Sequence, residues 1–149
     1  MRRAQGFTLV ELLVVFAIMA LLVGLVPVAF ERMRETSQYR DTLRTIQIDL
    51  RLARRQALDT GKETRFTVDM GRRMYGLQGG RQHEVPPGLA LRATVAGIEL
   101  DPAGTASIRF LPRGGATGGS IDVLRASGVG ARLRVDWLSG LVSQEALEQ

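Results

Sequence analysis

The pattern of apolar and polar positions changes twice along this chain, and each change marks a different kind of element. From Phe7 to Phe30 the residues are almost uniformly apolar (FTLVELLVVFAIMALLVGLVPVAF), and Leu12 to Phe30 is a run of 19 residues without one charge. No polar face exists there to meet water, so a core helix of a globular domain fits poorly. As a helix the uncharged run measures about 28 Å, close to the thickness of a bilayer core. A secretory signal peptide fits less well, because its apolar region is usually roughly 7–15 residues long. The best small-residue cleavage position, Ala29, also has Pro27 two residues before it.

Beyond Glu31 the pattern turns amphipathic. Tyr39, Leu43, Ile46, Leu50, Ala53 and Ala57 recur every three or four residues, which predicts one apolar helix face. Gly61 is a suitable stop. From Glu63 onward, short alternating runs separated by glycine and proline predict strands: Thr64–Met70, Met74–Gln78, Leu89–Val95, Ala106–Leu111, 120–125 and 131–137. In the first, Phe66, Val68 and Met70 share a side; in the last, Leu133, Val135 and Trp137 do. A further helix is suggested only at Ser143–Leu147. The economical arrangement packs one sheet against the apolar stripe of residues 39–57, so that each covers the other.

Composition sharpens this division. The chain has 149 residues, 45% of them apolar and 23% charged, ordinary for a folded protein. It has no cysteine, which excludes thiol catalysis, disulfides and thiolate metal sites. The formal charge is +5, with the excess lying in the N-terminus and the middle segment and not in the glycine-rich C-terminal part. A single-domain cytosolic enzyme is therefore a poor reading.

Glu11 is the anomaly in the apolar segment. A carboxylate near the centre of a membrane helix costs roughly 2.5–3.5 kcal/mol, less near an interface, and usually has a partner. No basic residue lies three or four positions on. A cut between Gly6 and Phe7 would supply one, since the new α-amino group on Phe7 would lie one helical turn away, beside the positive end of the helix dipole.

Gly6-Phe7-Thr8-Leu9-Val10-Glu11-Leu12, following the short basic leader MRRAQG, closely resembles the N-terminal signature of type IV pilins and type II secretion pseudopilins. The resemblance implies cleavage after Gly6 and N-methylation of Phe7, both by an inner-membrane prepilin peptidase. It implies pairing of Glu11 with the N-terminal amine of a neighbouring subunit during filament assembly. Gly24 and Pro27 interrupt the helix, because proline removes a hydrogen bond and commonly kinks it. The resemblance gives that kink a mechanical role as helices repack.

Two C-terminal segments extend the resemblance. Phe110-Leu111-Pro112-Arg113-Gly114 is similar to the Phe-x-Pro-x-Gly strand and loop of the H-type pseudopilin (GspH/FimT) domain. Val135 to Val142 is similar to that domain's closing strand–Gly–Val element, with Leu141 departing from an arginine often found there. Residues 110–121 also tempt a phosphate-loop reading, but the GxxxxGK[ST] lysine is missing and no helix follows. A flexible hairpin loop is the plainer expectation.

The remaining chemistry is sparse. Arg51, Arg54 and Arg55 form a basic cluster that could touch phosphates. With no interleaved aromatic platform, a solvated helix face or subunit contacts are the better readings. His83 reads as a surface histidine in the Gly79–Gly88 loop. The acids show no D-x-D-x-D-G run, so a calcium site is unsupported.

The fold expected is α+β and pilin-like, a long N-terminal helix packed on an antiparallel sheet. Its segments are 1–6 (leader), 7–30 (transmembrane and assembly helix), 31–62 (amphipathic helix) and 63–149 (head). By resemblance the chain is a minor pseudopilin of the type II secretion system, single-pass in the inner membrane with its head in the periplasm. Its expected partners are the prepilin peptidase and the other major and minor pseudopilins, with no enzyme activity, cofactor, metal or small-molecule substrate and with nucleic acid disfavoured. The rivals are a FimT-like minor pilin of type IV pili, with or without DNA binding, and a membrane-anchored periplasmic enzyme or binding domain unrelated to filaments.

Overall fold

The computed structural model describes residues 8–147, apart from the side chains of 25–30 and 32. By contacts the chain divides between Ser37 and Gln38. The helix α1 runs from Leu9 to Thr60. It begins at Thr8, whose Oγ1 accepts the backbone N–H of Glu11 at 3.3 Å, the capping bond that short hydroxyl side chains make at helix N-termini. It ends at Gly61, whose left-handed conformation lets its N–H reach the Ala57 carbonyl.

In the first unit the large apolar side chains described, from Leu9 to Val23, are exposed. Among the described residues no helix is long and apolar enough to cross a membrane.

In the second unit the spacing of the amphipathic stretch has its expected consequence. Leu43, Ile46, Leu50, Ala53 and Ala57 are buried, with Tyr39 packed at the margin. They share a core with the inner faces of two antiparallel four-stranded sheets. The first has the order β3 (Gln82–Glu84), β2 (Met74–Leu77), β1 (Thr64–Asp69), β5 (Thr105–Phe110). The second has the order β4 (Leu89–Thr94), β6 (Gly119–Arg125), β7 (Gly130–Val135), β8 (Val142–Leu147). Phe66, Val68, Ile108 and Phe110 enter the core from one sheet, and Ile121, Val123, Leu133 and Val135 from the other. The period-2 pattern is what brings these to one face.

A helix on an antiparallel layer was expected and is present, but the strands split into two sheets. Strand period fixes which face a residue occupies and says nothing about which strands pair. The chain crosses between sheets at 85–88, at 95–104 around a short 3-10 turn (Gly97–Glu99), and at 111–118.

The last crossover corrects the expected hairpin loop, since β5 and β6 lie in different sheets. The segment is tied down: Leu111 N–H donates to Gly115 O, Ala116 N–H to Trp137 O, and Thr117 N–H to Arg109 O. Ser143–Leu147, the other helix candidate, is instead strand β8, paired along its length with β7. Residues Gln82–Glu84, expected in a loop, form the edge strand β3. Met70 and Trp137 fall just outside their strands and are exposed.

Candidate assembly surfaces

Gly6 and Phe7 lie outside the described residues. Glu11 is exposed in the first turn of α1, at the third helical position after the Thr8 cap. A carboxylate at that place is favoured by the helix dipole, a local signal that the Thr8-x-x-Glu11 spacing carried. Among the described residues no basic side chain pairs with it. The helix continues through Gly24 and Pro27. Apart from the helix's own backbone and the adjoining residues, nothing described lies within 4 Å of where a Gly24 Cβ would stand, and the Pro27 side chain lies outside the described ones.

The arginine cluster separates into two roles. Arg54 is half-buried, and its Nε donates to the Ser139 carbonyl at 3.0 Å, pinning α1 to the β7–β8 turn. That turn is built by Asp136, whose Oδ1 accepts from the Ser139 N–H at 2.8 Å and the Ser139 hydroxyl at 2.7 Å. Those bonds hold the Asp136 carboxyl below its usual range. Gly140 follows with φ +65, and a Cβ there would stand 2.6 Å from the Gly114 carbonyl oxygen. The Phe-x-Pro-x-Gly segment and the closing segment therefore meet: Gly140 is required because the backbones approach so closely, and Gly114 is favoured by its φ of +99°. Arg51 and Arg55 remain exposed on the helix.

His83 corrects another expectation. It is half-buried on β3, its ring stacked on Tyr75 at 5.4 Å and its Nε2 3.4 Å from Asp49 Oδ2 on α1. Burial pushes the Asp49 carboxyl above its ordinary value, opposed by the charges of His83 and Arg81. This is a packing contact between helix and edge strand, with no third metal-ligating group beside it among the described residues.

Each sheet also carries an ion pair with a buried carboxylate that sequence reasoning missed. Arg132 binds Asp122 through two bonds of 2.7 and 2.9 Å across β7 and β6, residues directly opposite in register. Arg109 binds Glu99, which also accepts from the Ser107 hydroxyl at 2.7 Å. Burial pushes the Glu99 carboxyl up, but the bonds from Ser107 and Arg109 outweigh it and leave it below its usual range. Cross-strand charge pairs are legible only once register is known. Glu99, Ser107 and Arg109 border one open groove and Asp49 and His83 another, and within each the polar groups bond to one another and hold neighbouring elements together.

The model of the family "Type II transport protein GspH" matches residues 42–140. The chain belongs to the GspH family. The matched segment holds the core stripe of α1, the crossover at Phe110–Gly114 and the turn at Asp136–Gly140. A second model, the prokaryotic N-terminal methylation motif, matches residues 1–27. Among curated proteins, the type II secretion system protein H of Xanthomonas campestris pv. campestris is 33% identical over 143 residues, covering 95% of this chain and 83% of that relative. Among solved structures, the minor pseudopilin EpsH from the type 2 secretion system of Vibrio cholerae aligns with a TM-score of 0.58 at 16% identity, over 73% of this chain and 97% of that one. That likeness fixes the fold. As a GspH-type chain with a prepilin-like N-terminus, the protein is a minor pseudopilin of the type II secretion system.

Proposed function

We propose that this pseudopilin is a non-enzymatic filament subunit, cut between Gly6 and Phe7 by an inner-membrane prepilin peptidase and N-methylated on Phe7. Residues 7–30 hold it in the inner membrane, with its N-terminus cytoplasmic and its head periplasmic. On assembly, Glu11 pairs with the Phe7 amine of a neighbouring pseudopilin, and Gly24 and Pro27 let the helix bend as it leaves the bilayer. In the periplasmic pseudopilus it contributes to export of folded proteins across the outer membrane.

The observation that carries this reading is the first turn of α1: a Thr8-capped helix start with the carboxylate of Glu11 beside the cut. The exposed apolar side chains that follow it await a partner. A DNA-binding pilin draws less support, since Arg54 of the basic cluster is already engaged by Ser139. Intact-mass measurement of membrane-extracted protein tests the proposal. Loss of Met1–Gly6 with one added methyl on Phe7 is expected, and an uncut N-terminus in cells with active prepilin peptidase would overturn it.

A further inference from the structure

The outward face of α1 between Arg44 and Leu58 is a ridge that the chain's own fold leaves uncovered. Ile48, Arg51, Leu52 and Arg55 follow helical spacing and fall opposite the buried stripe. Ile48 and Leu52 are 51% and 49% exposed, in contrast to the buried stripe on the same helix. A groove lies on each side. Ile48 and Leu52 border one of about 510 Å³ whose far wall is the β2–β3 turn at Gly79–Arg81. Arg51, Arg55 and Leu58 border another of about 360 Å³ against Gly140–Val142. Leu141 and its neighbour Leu138, both exposed, extend the apolar surface along that turn.

Between Arg44 and Leu58 the exposed charges of this face are all basic. Arg44, Arg51 and Arg55 are exposed, while Asp49, the acid within the same stretch, is buried. Asp41 and Asp59 stand only at its two ends. No ion pair among the described residues engages Arg51 or Arg55.

We infer that this ridge and its two grooves dock an acidic, apolar-faced segment of a different pseudopilin. An acidic partner fits because it neutralises arginines that the head leaves unpaired, while its apolar side chains cover Ile48 and Leu52. A second copy of this chain fits badly, because packing the same face on itself sets Arg51 and Arg55 against their own counterparts, and like-charge contacts discriminate strongly at interfaces. The inference rests on the filament role proposed above and adds the face and the charge of the neighbour.

The test places a photo-reactive phenylalanine derivative at Leu52 of the full-length chain, in cells carrying the whole secretion system, with a second probe at Val14. The Leu52 probe should form an adduct with another pseudopilin, through a peptide of net negative charge. Arg51→Glu with Arg55→Glu should lower that adduct roughly tenfold or more, and Arg51→Lys with Arg55→Lys should retain it. An adduct with a second copy, with lipid or with a peptide lacking acidic excess would overturn the inference. So would a yield indifferent to charge reversal, or no Leu52 adduct while the Val14 probe still captures other pseudopilins. If neither probe captures a pseudopilin, the filament role itself fails and the inference falls with it.

Discussion

The helix α1 carries two apolar surfaces with opposite fates. From Leu9 to Val23 its large apolar side chains are 49% to 81% exposed, whereas Leu43, Ile46, Leu50, Ala53 and Ala57 are at most 9% exposed. The difference lies in the pattern. The second stretch confines its apolar residues to one stripe, which two sheets of the same chain can cover. The first is apolar all round, which no single layer can cover, and burying each large side chain is worth about 1.5–3 kcal/mol. No described part of the chain covers it, and under the proposed filament role lipid or neighbouring helices do. Their charges follow the same division: Asp122 and Glu99 find arginines within the second unit, while Glu11 finds none among the described residues.

Substitutions on the two surfaces should therefore read out differently. Leu50→Asp buries an unpaired charge in the core and should destabilise the second unit by about 4–5 kcal/mol, measured by denaturant unfolding of the detergent-extracted full chain. Arg132→Ala should cost clearly less, because it strands Asp122 while its own side chain is one-third exposed and water can reach the site. Replacing both Asp122 and Arg132 with leucine should recover most of that loss. Leu13→Asp, chemically the same change as Leu50→Asp, should shift unfolding of the second unit by less than about 0.5 kcal/mol while impairing membrane insertion. A Leu13→Asp protein whose second unit unfolds as readily as that of Leu50→Asp would break the comparison.

What could be read beforehand follows the range of the interactions. The stripe from Leu43 to Ala57 and the alternation of Phe66 with Val68 are local periodicities, and both faces are buried as the spacing requires. The division into two sheets depends on pairings between distant strands, which local period does not encode. Strand β3 has only three residues, too few for alternation to register. Ser143–Leu147 lacks β-branched residues and reads as a helix, yet register with Gly130–Val135 makes it a strand. His83 and Arg54 were judged by their sequence neighbours, whereas their partners, Asp49 and Ser139, stand 34 and 85 positions away. Glu11 was legible because its oddity is local: a charge in an apolar run without a basic residue three or four positions on.

The most direct test of the account is Glu11→Val, scored for cleavage and for cross-linking to other pseudopilins in the same membranes. If Glu11 pairs with a neighbour's Phe7 amine in an apolar bundle, the change strands an ammonium, and breaking a buried pair from one side costs about 3–5 kcal/mol. The variant should then insert and lose Met1–Gly6 normally, yet no longer cross-link. Normal cross-linking and secretion by Glu11→Val would contradict the pairing and leave Glu11 as no more than a first-turn carboxylate at the membrane surface.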